Sequence, residues 1–180
     1  MKRNFGFILI LVLMSLILVA CASYEVSYIN ENLKNDGFTE MNYTKTIYAE
    51  ETLLLEEKVK TTKEADAYKV TSTLKQISNI TSDNVYTETS EESTKDLSAD
   101  LSIALELKEE DFKEVKVGKT SLTGSLLDEK VAAVLGISSA KDVSVNVTLT
   151  EDLKVKEIKI NYVDVISGYT INLTSVYNYN

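Results

Sequence analysis

The chain offers few side chains that could carry out chemistry. Its 180 residues include 28 acidic residues, a single cysteine and no histidine. A glycosidase needs two carboxylates opposed across a sugar, one with a raised pKa, and no spacing in this sequence marks out such a pair. Histidine is missing as a general base, and one cysteine cannot build a Cys/His zinc site. We therefore expect no enzyme, no catalytic residue, no metal and no cofactor, and we interpret the neighbouring carboxylates as solvated faces at 50–51, 56–57, 91–92 and 109–111.

The single cysteine, Cys21, comes directly after a long apolar segment. Lys2 and Arg3 lie near the start of the chain, and sixteen uncharged, mostly apolar residues follow at 5–20. A basic start, an apolar run and small residues at its end are typical of an export signal. The run ends in LVAC, which resembles the lipobox of bacterial lipoproteins. The resemblance implies cleavage before Cys21 and a diacylglyceryl group on its sulfur.

Three other interpretations of Cys21 stay open. It could be an ordinary buried thiol, or the protein could simply be secreted. The segment could also be an uncleaved transmembrane helix, although its apolar length falls short of the roughly 20 residues that a span needs. The place of Cys21 at the end of the apolar run favours the lipid anchor, in which two acyl chains hold where one is marginal. We therefore predict a cell-envelope protein on the outer side of the cell membrane, held there by acyl chains such as palmitate on Cys21.

Composition limits the partners of the mature protein. Removal of residues 1–20 takes away Lys2 and Arg3, so the net charge falls from −9 to −11 over the remaining 160 residues. A surface this acidic repels phosphate backbones, which argues against a nucleic-acid partner. The remaining length suits one domain with a sizeable core. We predict a signal peptide at 1–20, a lipidated N-terminus and tether at 21–40, and a single antiparallel β-sheet domain at 41–180.

From residue 41 onward the sequence predicts strands. Apolar residues occupy every second position of 96–108, and such a period predicts a half-buried strand. Later segments repeat the pattern with short turns between them, which predicts an antiparallel meander. Val155 is out of phase with Ile158 and Ile160, which predicts a bulge or a longer turn. For 22–40 the sequence does not decide between a strand and a helix. The predicted strands are 43–50, 53–60, 67–75, 84–89, 96–108, 143–150, 154–163 and 169–179.

One helix is predicted, at 125–136. Ser125 would cap its N-terminus, and Gly136 would close its C-terminus. An apolar stripe that includes Val131 and Leu135 would pack against the sheet. The predicted fold is mainly β (α+β), a twisted antiparallel sheet or half-barrel with one short helix packed on it.

The order of these elements is similar to that of the LolA/LppX-like lipoproteins. The most similar part is VSVNVTLTEDLKVKEIKINY followed by YTINLTSVYNY. Proteins of that kind are half-barrels that hold lipid or another apolar ligand on a concave face, so the resemblance implies lipid binding. It carries over no binding residue by position. From alternation alone, the ligand groove would be lined by Leu101, Ile103, Leu105, Val145, Val147, Ile158, Ile160, Ile171 and Leu173.

A second function class fits the same pattern. The groove residues could fill a dry core, and the protein would then be a non-catalytic structural or protein-interaction lipoprotein with an unknown partner. Close packing without a cavity would favour this alternative. Tyr169, Tyr177 and Tyr179 could form a sugar or peptide platform, although cross-strand pairing is the favoured interpretation. The sequence at 35–37 is interpreted as a turn, because the ligand positions of a calcium loop are missing.

Overall fold

The described chain is built mainly from antiparallel strands. The structure is a computed structural model, and it describes residues 24–33, 38–79, 84–97, 105–137, 139–166 and 169–180. This part of the chain has two short α-helices, α1 Val26–Asn32 and α2 Asp128–Leu135, and a 3-10 turn, Glu109–Asp111. Its nine strands are β1 Glu40–Ala49, β2 Thr52–Lys63, β3 Ala67–Asn79, β4 Val85–Asp96, β5 Phe112–Gly118, β6 Ser121–Leu126, β7 Lys141–Leu149, β8 Val155–Ile166 and β9 Tyr169–Tyr179.

All nine strands belong to one curled sheet that does not close on itself. The strand order is β4-β3-β2-β1-β9-β8-β7-β6-β5, and all neighbouring strands are antiparallel. Two meanders, β1–β4 and β5–β9, are joined where β1 pairs with β9, from Met41 opposite Tyr179 to Tyr48 opposite Asn172. The prediction of a mainly β, antiparallel sheet is confirmed.

Strand register places the apolar positions on one side, here called the core face. Val145 of β7 is opposite Ile160 of β8, which is opposite Ser175 of β9. Ser175 is in turn opposite Lys45 of β1. The β5–β9 part of the core face is covered, because α1 lies against β6 and α2 against β7. The side chains below 2% exposure are Val26, Ile29, Thr61, Leu107, Leu122, Leu126, Val131, Val143, Val145, Val147 and Ile158.

The helix α1 lies in the segment that the sequence left undecided. Val26, Ile29 and Leu33 recur at helical spacing and are buried in the same core as the sheet. Asn30 holds the neighbouring segment, because its side-chain amide donates to the carbonyl of Leu107 and accepts from the Leu107 N–H at 3.0 Å. The predicted tether at 21–40 therefore contains a core helix.

The predicted strand at 96–108 is wrong in both of the parts that the structure describes, 96–97 and 105–108. β4 ends at Asp96, residues 105–108 belong to no strand, and residues 98–104 lie outside the described part. Leu105 and Leu107 are buried and Glu106 is exposed, so the alternation of burial holds without strand pairing. The reason is that the backbone of Leu107 bonds to a helix side chain instead of a neighbouring strand.

The predicted start of the second helix is also wrong. Ser125 belongs to β6 and is opposite Ser144, so it caps nothing. Leu127 occupies the N-cap position and makes no side-chain capping bond. The predicted C-terminus is confirmed: Gly136 has φ 70°, a left-handed conformation that suits glycine, and its N–H donates to the carbonyl of Ala132 at 3.0 Å.

Candidate functional site

A cavity of about 230 Å³ lies on the core face between the sheet and α2. Three adjacent strands at the centre of the sheet, β1, β9 and β8, supply its floor, and the end of α2 supplies one wall. The register of β1 with β9 brings Tyr43 opposite Tyr177 and Lys45 opposite Ser175. We call this the core-face cavity. It is lined by Tyr43, Lys45, Leu105, Val134, Leu135, Ile137, Ile160, Tyr162, Ser175 and Tyr177.

One part of the lining is polar. The rings of Tyr43 and Tyr177 lie 4.6 Å apart between centroids, with 36° between their planes. The side chains of Ser175 and Tyr177 lie near the Tyr43 hydroxyl and affect its pKa. These strands therefore present a row of hydroxyl groups to the cavity.

The tyrosines of this row stay protonated at neutral pH. Burial raises the pKa of Tyr43 and Tyr177 above the usual value, and the negative charge of Glu57 raises both further. Burial also raises the pKa of Tyr162, and the charge of Asp164 adds to it. A neutral phenol donates and accepts hydrogen bonds. These groups can therefore bind a polar ligand atom but cannot act as phenolate bases.

The one cationic side chain in the lining is that of Lys45. It is half-buried, and within the described part of the chain it forms no ion pair with a carboxylate. The nearest acidic position in the register is Glu57, directly opposite Lys45 on β2 and also half-buried. The cavity thus holds an unpaired ammonium group beside neutral hydroxyls.

The rest of the lining is apolar. Leu105 and Ile160 are buried, while Val134, Leu135 and Ile137 are half-buried. The last three occupy the end of α2 and the residue after Gly136. Because Gly136 turns the chain sharply with a positive φ, Ile137 can return toward the sheet. The cavity therefore has polar groups on β1 and β9 and apolar side chains at the end of α2, at Leu105 and at Ile160 of β8.

The predicted groove residues divide into three groups. Leu105 and Ile160 line the core-face cavity. Leu101 and Ile103 lie outside the described residues, as do Cys21, residues 1–20 and the turn at 35–37. The others are at most 5% exposed and belong to the core face away from the cavity lining: Val145, Val147, Ile158, Ile171 and Leu173.

Sequence reasoning missed the polar half of the lining. Tyr43, Lys45, Tyr162, Ser175 and Tyr177 all occupy core-face positions of their strands. The available signal was a polar residue at a position where alternation calls for an apolar one, as at Lys45 between Tyr43 and Ile47. The favoured interpretation of the C-terminal tyrosines is confirmed for Tyr177, which pairs across strands with Tyr43.

The neighbouring carboxylates do not all lie on solvated faces. Glu91 and Glu92 are exposed on β4, as predicted. Asp111 is 6% exposed and accepts from the Lys108 N–H at 3.0 Å, so it closes the 3-10 turn instead. Among the residues that the structure describes, no three His, Cys, Asp or Glu side chains are grouped as a metal site would require.

A second, more open groove of about 530 Å³ lies at one end of the sheet, beside the β7–β8 loop. Phe38 and Tyr179 contact each other there, edge to face, with ring centroids 5.6 Å apart. Burial raises the pKa of Tyr179 to about 12. Lys154 and Lys156 lie at the same groove, but both are exposed, and Glu151 beside them is exposed as well. The core-face cavity is the stronger candidate site, because hydroxyl groups and an ammonium group lie there beside apolar side chains.

Comparisons with known proteins assign no family to the chain. No protein-family model matches it, and no curated protein matches it either. In the described residues, none of the helices has the length and apolar character needed to cross a membrane.

Proposed function

We propose that the protein is a membrane-anchored extracytoplasmic lipoprotein that binds a lipid or another apolar ligand in the core-face cavity. The observation that carries the ligand proposal is the divided lining, which is polar on β1 and β9 and apolar at the end of α2, at Leu105 and at Ile160. Small-molecule sites are typically concave and mostly apolar, with a few polar groups that orient the ligand. Lys45 and the row of hydroxyl groups would serve as those orienting groups.

The anchor proposal is supported by the LVAC sequence that ends at Cys21. Cleavage before Cys21 would leave residues 22–25 between the lipidated cysteine and α1. Five residue steps at about 3.6 Å each span at most about 18 Å. The folded part would therefore stay close to the bilayer, and a ligand could pass between bilayer and cavity over a short distance.

A second function is favoured by the packing of the predicted groove. Val145, Val147 and Ile158 are at most 1% exposed and do not line the cavity, as expected for a dry core. Among the described strands, β4 lies at an edge of the sheet, and it exposes Glu88, Glu91 and Glu92. A non-catalytic structural or protein-interaction lipoprotein would use such a surface, with the core-face cavity empty.

Native mass spectrometry of the full chain, extracted from membranes with a mild detergent, tests the ligand proposal. The cavity would be filled by Val134→Phe, while Ala133→Phe on the exposed side of α2 is the matched control. We expect one apolar compound per chain in the wild type and in Ala133→Phe, and none in Val134→Phe. If all three chains are free of any bound compound, the ligand proposal fails and the second function is favoured.

The anchor needs its own measurement on the same material. We expect the peptide that begins at Cys21 to carry the added mass of a diacylglyceryl group. An unmodified thiol with residues 1–20 still attached would contradict the lipoprotein proposal, whatever the cavity contains.

A further inference from the structure

Lys45 differs from the paired lysines of the described chain. Lys58, Lys60, Lys69, Lys108, Lys113 and Lys130 have carboxylate oxygens within 2.7–4.0 Å of their Nζ atoms. Lys45 has no such partner among the described residues, and neither have Lys75 and Lys159, but of these three half-buried lysines only Lys45 lines the core-face cavity. Withdrawing an ammonium group from water costs free energy unless an anion or hydrogen bonds compensate. The position therefore suits a ligand that brings its own negative charge.

The groups around Lys45 favour the same kind of ligand. Ser175 lies opposite Lys45 in the register, and the hydroxyls of Tyr43 and Tyr177 are two residues away along the same two strands. Neutral hydroxyls can donate to an anion, and hydrogen bonds to a charged group are stronger than those between neutral partners. The apolar side of the cavity faces this cluster from α2.

We propose that the core-face cavity binds a single-chain amphiphile with an anionic head, which is held by Lys45 and the neighbouring hydroxyls. The chain of the amphiphile lies against Leu105, Leu135 and Ile160. This inference rests on the proposed ligand-binding function and adds the charge and the size of the ligand.

The cavity volume favours a ligand that inserts a single chain. The cavity measures about 230 Å³. Sites for drug-sized ligands begin at about 300 Å³. A head and part of a single chain fit inside the cavity, whereas two full acyl chains would extend beyond it.

Glu57 provides a second, opposite test of the charge. Its carboxylate lies opposite Lys45 on the core face, and its charge acts on Tyr43 and Tyr177 in the lining. A negative charge directly opposite Lys45 on the neighbouring strand weakens the binding of an anion. Removing it should strengthen that binding, so Glu57→Gln and Lys45→Met should change the affinity in opposite directions.

The experiment uses membranes that contain the full chain and two photoreactive probes. The probes are a single-chain carboxylate and the alcohol of the same chain length, each with a diazirine on the chain. After irradiation, mass spectrometry measures labelling of the peptides that carry Leu105 and Leu135. Lys45→Met removes the charge and keeps the side-chain length, Lys45→Arg keeps the charge, and melting temperatures confirm that each variant is folded.

We expect the carboxylate probe to label the cavity at least about tenfold less in Lys45→Met, which corresponds to about 1.4 kcal/mol. Labelling should persist in Lys45→Arg and rise in Glu57→Gln, and the alcohol should label all chains equally. Excess acetate should not compete, because it has no chain to bury. Equal labelling by both probes in every chain would overturn the anionic-head inference and leave ligand binding intact. The absence of cavity labelling by either probe would contradict ligand binding itself.

Discussion

Two isoleucines on β8 can distinguish the proposed ligand site from the dry core. Ile158 and Ile160 share the core face and differ by two positions along one strand. Ile158 is 1% exposed and lies outside the cavity lining, whereas Ile160 is 7% exposed and lines the cavity. Changing each of them to alanine removes the same three carbon atoms from different surroundings.

The expected losses of unfolding free energy differ for a physical reason. Three buried carbons contribute about 2.4 kcal/mol at roughly 0.8 kcal/mol each. Ile158→Ala also leaves an enclosed void, and such voids bring losses for Ile→Ala substitutions to about 2–5 kcal/mol. Ile160→Ala merely enlarges a cavity that already exists, so its loss should stay near or below about 2 kcal/mol. Ligand binding should respond in the reverse order.

Urea unfolding and probe labelling of the same two variants measure both effects. We expect Ile158→Ala to be the less stable chain with near-normal labelling, and Ile160→Ala to be the more stable chain with reduced labelling. Equal losses of stability near 3 kcal/mol or more, without any change in labelling, would mean that Ile160 is also dry core. The separation of cavity from core on β8 would then be refuted.

Three further predictions concern the packing and the ionisation of the fold. Gly124→Ala places a Cβ 2.5 Å from the Phe112 ring, so it should destabilise by about 1–3 kcal/mol, and a double-mutant cycle with Phe112→Leu should show partial rescue. Asn30→Ala leaves the backbone N–H and carbonyl of Leu107 without their partner. It should cost about 1–3 kcal/mol and speed hydrogen exchange at the Leu107 amide; unchanged exchange would contradict the role of Asn30. Tyr179 loses its proton at about pH 12 when folded and near pH 10.0 when unfolded. The unfolded chain therefore binds fewer protons above pH 10, so unfolding free energy should fall between these values, and Tyr179→Phe should make that fall less steep.

The sequence predicts the sheet much better than its boundaries. Alternation correctly identifies the core-facing side chains of β7, β8 and β9. Of the two alternatives predicted near Val155, a bulge or a longer turn, the structure shows a register shift beside Leu149. At 105–108 the same alternation is present but does not indicate a strand, because an extended segment that crosses a core buries alternate residues whether or not it pairs with a neighbouring strand. β5 and β6 were missed since they are short, and a register shift near Phe112 breaks the phase of β5.

The candidate site was harder to predict than the fold, for a geometric reason. Alternation assigns a residue to a face, but it does not say which part of that face is covered. Val145 and Ile160 are opposite each other on the same face, yet only Ile160 reaches the cavity. That difference depends on where α2 ends, and its end brings Val134 and Ile137 over β8 and β9. The contribution of Lys45 depends further on the β1–β9 pairing, which joins positions 130 residues apart in the chain.

The charge of the chain bears on how an anionic ligand could reach the proposed site. The mature chain of the proposed lipoprotein has a net charge of −11, from −9 after loss of Lys2 and Arg3, and this field repels anions approaching through water. The repulsion is screened over about 8 Å at physiological ionic strength, whereas Lys45 is half-buried and acts at contact distance. The attraction of an anionic head to Lys45 can therefore exceed the repulsion by the net charge of the chain once the ligand is inside the cavity. Entry from a bilayer within about 18 Å of the fold would shorten the path of the ligand through water. The short link to Cys21 therefore favours entry from the bilayer, and the charge of Lys45 would hold the ligand once it is inside.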